Sequence, residues 1–241
     1  MRTLPLLVAL FATPTCALRI DLASRFFKWF TESDAVAKLH EKHVASESAM
    51  HMIKGTPMAA APDEAKLAFA RGAGGAAVAE FMRLEQENIG AWKVSRIIEA
   101  AGADFDAERE RERLCEQVSA QGIVMYSFVD CPWCLLAKER LLAIAGSGEL
   151  AAASLSIVEL DDLGVDGKRL RAAIALATGR TSMPAIFIGG KSIGGFTDGD
   201  PRGDAALCHE GAPGLQRLEE DGRLMPMLMS ASAALRGQGK G

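Results

Sequence analysis

Two cysteines separated by two residues, Cys131 and Cys134, are the closest pair in the sequence and the first candidates for chemistry. Such a pair can bind a metal, form a permanent crosslink, or cycle between dithiol and disulfide. A structural zinc site needs a second pair of ligands, and neither Cys115 nor Cys208 has a partner two to four residues away. A permanent disulfide across so short a loop would constrain the unfolded chain little. The spacing therefore favours a redox pair.

The residues around the pair place it at the start of a helix. Residues 123–128 form a compact apolar run typical of a buried strand, and residues 134–146 have a helical pattern. Pro132 suits the first position of a helix, where its missing N–H costs no hydrogen bond. The free N–H groups and the helix dipole favour an anion at Cys131, which predicts a thiolate there. Cys134, one turn further on, is positioned to attack the mixed disulfide that results.

The elements that must position this pair follow from the pattern after Gly102. Strands are predicted at 123–128 and 154–160, helices at 104–120, 134–146, 167–179 and 214–228, and a hairpin of two short strands at 184–196. A strand, a helix and a strand in succession imply a parallel pair with a right-handed crossover, and the hairpin adds antiparallel strands. The pattern therefore predicts an α/β domain with a mixed four-stranded sheet, occupying residues 104–241.

From about residue 106 onward, the sequence resembles the dithiol class of glutaredoxins, and three segments carry the resemblance in the family's order. Residues 131–134 (CPWC) match the active-site segment, 182–184 (SMP) match the Thr-Val-Pro segment with its cis proline, and 194–198 (GGFTD) match the Gly-Gly-x-x-Asp segment. The tail at 217–228 is similar to the family's closing helix. The first hundred residues lie outside the resemblance.

The resemblance implies a thioredoxin-like fold with a groove for glutathione beside Cys131. In that groove the Met183 backbone pairs with the tripeptide like an added strand, and Asp198 faces the ammonium of its γ-glutamyl end. Arg180 is favoured over Thr181 for the glycine carboxylate. The full set of residues expected to bind glutathione is Trp133, Arg180, Thr181, Met183, Pro184, Gly195, Thr197 and Asp198.

Two residues beside the pair depart from the family pattern. The family usually carries a lysine three residues before the nucleophile, and Phe128 occupies that place here. Asp130 adds a negative charge directly before Cys131. Both changes disfavour a thiolate and the binding of a carboxylate. They predict a higher pKa for Cys131, and weaker glutathione binding, than in a relative with the lysine.

The activity implied by the resemblance is glutathione-dependent thiol-disulfide oxidoreduction on protein disulfides and glutathione mixed disulfides. Cys131 attacks, Cys134 resolves protein disulfides, and glutathione restores the dithiol. The alternative is an iron-sulfur carrier, in which Cys131 of two subunits and two glutathiones hold a 2Fe-2S cluster. The protein is expected to be a monomer in the first case and a dimer in the second. The 194–198 segment disfavours a third reading, a thioredoxin-like or disulfide-isomerase enzyme independent of glutathione.

Composition and the first residues limit the partners and location. The 241 residues carry 27 Lys and Arg against 31 Asp and Glu, a net charge of −4 with mixed signs, which argues against nucleic acid as a partner. Residues 1–17 have the layout of a secretory signal peptide, so entry into the secretory pathway is expected. The alternative is the first part of a bipartite plastid leader. Acidic residues at Asp21, Glu32 and Asp34 argue against a transit peptide.

The region between the leader and the domain, residues 18–103, is rich in Ala, Glu, Lys and Met and is predicted to be helical, with no function assigned. The glycine-rich segment 72–75 has no Lys-Ser/Thr pair after it and is interpreted as a helix break rather than a phosphate loop. His40, His43 and His51 lack the further ligands of a metal site and are interpreted as solvated or packing residues.

Overall fold

The computed structural model describes residues 61–147, 155–201 and 204–238, together with Arg25, Lys28, Trp29 and Glu32. The predicted leader at 1–17 and the three histidines at 40, 43 and 51 lie outside the described residues. In the predicted helical region 18–103, the structure describes two helices over 63–100. No helix among the described ranges is both long and apolar enough to cross a membrane.

The described elements fall into a helical pair followed by an α/β domain. In chain order they are α1 (Asp63–Arg71), α2 (Ala73–Ala100), α3 (Ala107–Ala120), β1 (Ile123–Ser127), α4 (Pro132–Gly146), β2 (Leu155–Glu159), a 3₁₀ turn (Asp161–Leu163), α5 (Val165–Thr178), β3 (Ala185–Ile188), β4 (Lys191–Gly194), α6 (Leu215–Glu220) and α7 (Leu224–Gln238).

One mixed sheet organises the domain, with the strand order β2-β1-β3-β4. Strand β1 pairs parallel with β2, where Met125 lies opposite Ile157, and antiparallel with β3, where Met125 lies opposite Ile186. Strands β3 and β4 form the antiparallel hairpin, with a register shift between Ile186 and Phe187. The predicted α/β fold with a mixed four-stranded sheet and flanking helices is confirmed.

Helices cover both faces of the central strands, so β1 and β3 are buried along their whole length. Tyr126 packs edge-on against Phe187, with ring centroids 5.8 Å apart, and its hydroxyl donates to Gln117 Oε1 at 2.8 Å. Partners from the helices include Leu114 of α3 and Ile174 of α5. This core fixes the end of β1, from which the chain enters the active-site loop.

The predicted helix at 214–228 is wrong as a single element. Helix α6 ends at Glu220 and α7 begins at Leu224. Gly222 between them has φ 68°, a left-handed conformation that ends the first helix, and the Arg223 N–H donates to the Leu218 carbonyl at 2.8 Å. A glycine also ends α5 as predicted, because Gly179 has φ 72°. Gly146 instead remains helical, and Ser147 caps α4.

The two helices before the domain, α1 and α2, form what we call the helical arm, residues 63–100. The predicted break at 72–75 is present, because α1 ends at Arg71 and α2 begins at Ala73. The corner is tight: a Cβ on Gly75 would lie 2.5 Å from the Phe69 carbonyl oxygen and 2.6 Å from that of Ala70. Only glycine therefore permits this approach of the two helices.

The arm packs on two helices of the domain. The C-terminal part of α2 contacts α5 through a small apolar cluster, with Ile97 and Ala101 on one side and Ala172 and Ala175 on the other. At the other end of the arm, α1 packs along α4, the helix that begins at the cysteine pair. The arm thus lies beside the predicted active site.

Candidate active site

The cysteine pair lies where β1 gives way to α4. Cys131 is the N-cap residue with φ −79° and ψ 119°, and Pro132 occupies the first helical turn. The Cys131 carbonyl accepts the first helical hydrogen bond, from Leu135 N at 3.0 Å. Cys131 is 5% exposed and Cys134 is fully buried, and both are free thiols. The sequence predicted this placement at a helix N-terminus.

The surroundings separate the pKa values of the two thiols. A hydrogen bond from the Cys134 thiol lowers the pKa of Cys131 against the opposing effect of burial, and the N–H groups of Cys134 and Trp133 and the charge of Lys138 act in the same direction. Burial, followed by the interaction with Cys131, raises the pKa of Cys134. Cys131 is therefore the group that ionises, and Cys134 keeps its proton.

The cis-proline segment faces Cys131. The Met183–Pro184 peptide bond is cis, as expected from the resemblance. The Cys131 thiol lies 3.6 Å from the Met183 carbonyl, to which it donates. On the other side, the Phe128 N–H donates to Cys134 Sγ at 3.5 Å. The Cys131 thiol thus has the Met183 backbone as its direct neighbour.

The structure brings most of the predicted glutathione-binding residues around one small cavity. Its walls from the domain are Trp133, Arg180, Ser182, Met183, Pro184, Phe196, Thr197 and Asp198. Six of these belong to the predicted set. The other two, Thr181 and Gly195, are buried and do not line the cavity. Two side chains of the arm, Ala79 and Met82, complete the walls.

Arg180 does not lie free beside the cavity. Its guanidinium donates to the Asp198 carboxylate at 2.9 Å, to the carbonyls of Asp198 and Gly199 at 3.1 and 3.0 Å, and to Ser182 Oγ at 3.1 Å. The residue is 2% exposed. These contacts hold the 194–198 segment against the cis-proline segment. Arg180 also lines the cavity, and its contact with a glycine carboxylate stays a prediction.

Arg171 is a site residue that sequence reasoning missed. Its guanidinium lies over the ring of Phe128, 5.3 Å from the centroid, and donates to the Thr181 carbonyl at 3.2 Å. Burial lowers its pKa to about 10. A cation therefore lies against the position where the family's lysine is replaced by Phe128. The signal was present, because Arg171 shares a helix face with the buried Ile174 and Thr178.

Lys66 of the arm was also missed. Its ammonium lies 2.8 Å from Asp130 and 3.4 Å from Asp63, with only 5% of its side chain exposed. Burial by itself would lower the pKa of Lys66, but the hydrogen bond and charge of Asp130, with Asp63, raise it overall. The charge that Asp130 places beside the nucleophile is thus paired. No sequence signal links two residues 64 positions apart.

Two further arm residues reach the site. The Phe69 ring meets Trp133 edge-on, with centroids 6.3 Å apart and an interplanar angle of 78°. Gln86 accepts from the Thr181 hydroxyl at 2.7 Å and its N–H at 3.3 Å, and it donates to the Gly179 carbonyl at 3.0 Å. The helical region to which the sequence assigned no role therefore lies on the predicted groove.

Comparison with known proteins finds that the chain is similar to glutaredoxins. No family model matches the chain. Glutaredoxin-C2 of Arabidopsis thaliana is 32% identical over 118 residues, which are 49% of this chain and 85% of that protein. Glutaredoxin-C4, chloroplastic, of Oryza sativa subsp. japonica is 38% identical over 118 residues, which are 49% of this chain and 71% of that protein. The holo form of glutaredoxin C1 from Populus tremula x tremuloides is 28% identical, with a TM-score of 0.39, and the match covers 53% of this chain and 93% of that chain.

The identity to the Arabidopsis protein and the share of that protein covered show that the chain belongs to the glutaredoxin family. The match takes in about half of the chain, consistent with a glutaredoxin domain in part of it. Family membership and the paired thiols give the protein a general thiol-oxidoreductase role.

Proposed function

We propose that this protein is a glutathione-dependent thiol-disulfide oxidoreductase that reduces protein disulfides and glutathione mixed disulfides. One observation carries the proposal: Cys131, the thiol with the lowered pKa, lies 3.6 Å from the Met183 carbonyl at the cis-proline segment. That segment is the one expected to pair with the glutathione backbone. An extended peptide bound there would bring its sulfur toward Cys131.

The reaction on a glutathione mixed disulfide needs one thiol of the protein. The Cys131 thiolate attacks the glutathionyl sulfur, and the disulfide bond breaks to release the substrate thiolate, which takes up a proton. Glutathione is now disulfide-bonded to Cys131. A second glutathione thiolate attacks the same glutathionyl sulfur and releases Cys131. The net reaction converts the mixed disulfide and one free glutathione into the substrate thiol and glutathione disulfide.

A protein disulfide needs Cys134 as well. After Cys131 has formed a mixed disulfide with the substrate, Cys134 loses its proton, attacks Cys131 Sγ and expels the second substrate thiol. The negative charge on Cys131, one of the causes that raise the pKa of Cys134, is absent in that intermediate. The resolving thiol therefore becomes easier to ionise when it is needed. Glutathione then reduces the disulfide between Cys131 and Cys134.

One charged residue on the cavity wall and one beside Phe128 suit the two ends of glutathione. Arg171 is proposed to attract the glycine carboxylate, because its guanidinium lies beside Phe128 and the Thr181 carbonyl. Asp198 is proposed to face the γ-glutamyl ammonium, because its side chain is 39% exposed despite its bond to Arg180. Trp133 and Pro184 supply apolar walls.

The proposal is tested by coupling the purified full chain to glutathione and glutathione reductase, with a small glutathione mixed disulfide as substrate. Cys131→Ser should lower turnover by about a thousandfold or more, because it removes the nucleophile. Cys134→Ser should keep this activity but lose the reduction of protein disulfides. Cys115→Ser, at a partly buried thiol outside the site, is the matched control. Full activity of Cys131→Ser would overturn the assignment.

The iron-sulfur alternative uses the same thiolate as a cluster ligand. Anaerobic reconstitution with iron and sulfide separates the two proposals. A brown dimer that depends on both Cys131 and glutathione would support a cluster carrier, and a colourless monomer with mixed-disulfide turnover would support the oxidoreductase.

A further inference from the structure

Four side chains of the helical arm contact the active site from one direction. Lys66 and Phe69 of α1 hold Asp130 and Trp133, on either side of Cys131. Met82 and Gln86 of α2 contact the other wall: Met82 lines the small cavity, and Gln86 bonds to the segment just before the cis proline.

The space between the arm and the cis-proline segment is too small for glutathione. The cavity between Met82 of the arm and the cis-proline segment has a volume of about 20 Å³. That is room for roughly one water molecule, whereas ligand sites typically measure about 300–1,000 Å³. Cys131 does not line it. A tripeptide thus cannot pair with Met183 while the arm is in place.

Polar groups just before the cis-proline segment are also occupied. The amide oxygen of Gln86 accepts hydrogen bonds from the hydroxyl and the N–H of Thr181, and its amide nitrogen donates to the Gly179 carbonyl. These are peptide-like contacts, with an amide oxygen and nitrogen meeting backbone groups beside the cis proline. The arm therefore satisfies, in the same chain, polar groups at the edge of the groove.

A larger cleft lies next to this cavity, and Cys131 does not line it either. It has a volume of about 500 Å³ and lies between the arm and α4. Gly72 and Ala76 of the arm form one wall, and Trp133, Phe196 and Thr197 form part of the other. A peptide in the cleft would contact Trp133 before it reached Cys131.

We propose that the helical arm is a built-in cover that competes with glutathione and disulfide substrates for the groove beside Cys131. The identity of the substrates in this inference rests on the proposed function, whereas the closing of the site does not depend on it. In the closed state, Lys66, Phe69, Met82 and Gln86 occupy the approaches to the nucleophile. In the open state the arm leaves these contacts while Ile97 and Ala101 stay packed on α5. The apparent affinity for substrate is the intrinsic affinity multiplied by the open fraction.

Gly90 provides a test that does not weaken the fold. A Cβ at this position of α2 would overlap the Gln86 amide nitrogen and lie 3.1 Å from Gln86 Cδ. Because that amide is the end of a flexible side chain, Gly90→Ala should push it away from Thr181 and Gly179. Alanine is also the better helix former, so the helix itself should gain stability. Gln86→Ala removes the same three hydrogen bonds directly.

The measurement is the rate at which iodoacetamide alkylates Cys131 in the reduced full chain, followed by peptide mass at a series of pH values. The rate at high pH, where the thiolate is fully formed, reports how often the site is open. We expect Gly90→Ala and Gln86→Ala each to raise that plateau by about thirtyfold to a hundredfold, as expected for the loss of two or three hydrogen bonds. A change in pKa alone would shift the midpoint and leave the plateau in place.

Arg83→Ala is the matched control. It lies on the same helix, pairs with Glu80 and Glu87 on the exposed face, and should leave the plateau unchanged. Circular dichroism and the thermal midpoint verify that each variant is folded. An unchanged plateau rate in both folded variants, Gly90→Ala and Gln86→Ala, would overturn the proposal that the arm covers the groove.

The glutathione-coupled assay separates this inference from the proposed function. If both variants are alkylated faster but the protein does not turn over the mixed disulfide, the result would support the arm as a cover and count against the proposed function. Turnover in the unmodified chain, with alkylation unchanged in both variants, would support the function and overturn the cover. Increases in both alkylation and turnover would support both.

Discussion

The glutaredoxin domain and the helical arm are held together in different ways. The domain surrounds a sheet whose central strands are fully buried, with Phe187 and Ile174 among side chains of 0% exposure. The arm is attached to α5 by a small apolar cluster at Ile97 and Ala101, and α1 packs along α4. Phe69 and Met82 of the arm reach the main core but are only partly buried. A domain with a continuous core unfolds as a unit, whereas a segment with few buried contacts can detach locally.

At the active site, too, the contacts within the domain are more extensive and more buried than the contacts made by the arm. Arg180 connects two segments of the domain through four groups and is nearly inaccessible. Lys66 and Gln86 make polar contacts from the arm to groups that water can also satisfy. Each such bond contributes about 1 kcal/mol net, far less than the burial that holds the core. The domain fixes the chemistry, and the arm controls access to it.

The largest expected effect comes from the core. Phe187→Ala removes a fully buried ring that packs on Tyr126, so it should lower the free energy of unfolding by about 3–5 kcal/mol. Ile97→Ala, in the cluster between arm and α5, should cost at most about 2 kcal/mol because that cluster is small. Urea unfolding followed by circular dichroism measures both. Equal losses would show that the arm is part of the core and would contradict the comparison.

The second effect concerns the two thiols of the domain. The pKa of Cys131 is lowered, so its thiolate forms below the usual thiol range and is lost only as the pH falls through that value. The pKa of Cys134 is raised, so it remains a thiol through neutral pH. Iodoacetamide at pH 7 should alkylate Cys131 at least about a hundredfold faster than Cys134. Mass mapping against pH checks this.

The same experiment tests whether the domain or the arm causes the difference in pKa between Cys131 and Cys134. Because the hydrogen bond between the thiols and the N–H groups of α4 come from the domain, the preference for Cys131 should persist in Gln86→Ala. Release of the arm also relieves burial, so any change in the Cys131 midpoint should be downward. Preferential alkylation of Cys134 would contradict the assignment of the nucleophile.

A third and smaller effect comes from the corner of the arm. Gly75→Ala places a Cβ against the carbonyl oxygens of Phe69 and Ala70, which are backbone atoms and cannot move aside without separating α1 from α2. Phe69 should then leave Trp133, and the plateau rate of Cys131 alkylation should rise by several-fold, to about tenfold. Ser95→Ala, on the exposed face of α2, is the control. A plateau no higher than in the control would show that α1 does not cover the site.

The domain could be predicted from sequence because its signals are local. The strand at 123–127 is a continuous apolar run, and Pro132 marks the helix start beside the cysteines. Glycine conformation was harder to infer: Gly222 divides the final helices, whereas Gly146 stays helical. Composition did indicate the helices of the arm, and the glycines at 72–75 indicated its corner.

The position of the arm could not be predicted, because it depends on pairs far apart in the chain. Gln86 and Thr181 are 95 residues apart, and Lys66 and Asp130 are 64 apart. Each is an ordinary polar residue in its own segment. The partners of Arg180 could not be predicted either, because sequence shows a basic residue near the groove but not the Asp198 carboxylate that it binds.

The smallest expected effect lies where the two regions meet. Asp130→Asn removes the negative charge next to Cys131 and leaves Lys66 paired only with Asp63. Both changes favour the thiolate, so the alkylation rate of Cys131 at pH 6 should rise by about twofold to threefold through a lower midpoint. The plateau rises as well if the Lys66 contact helps to close the arm. Asp162→Asn, at an exposed carboxylate after β2, is the control. A fall in the rate at pH 6 would contradict this prediction, because it would show that the Asp130 carboxylate stabilises the Cys131 thiolate.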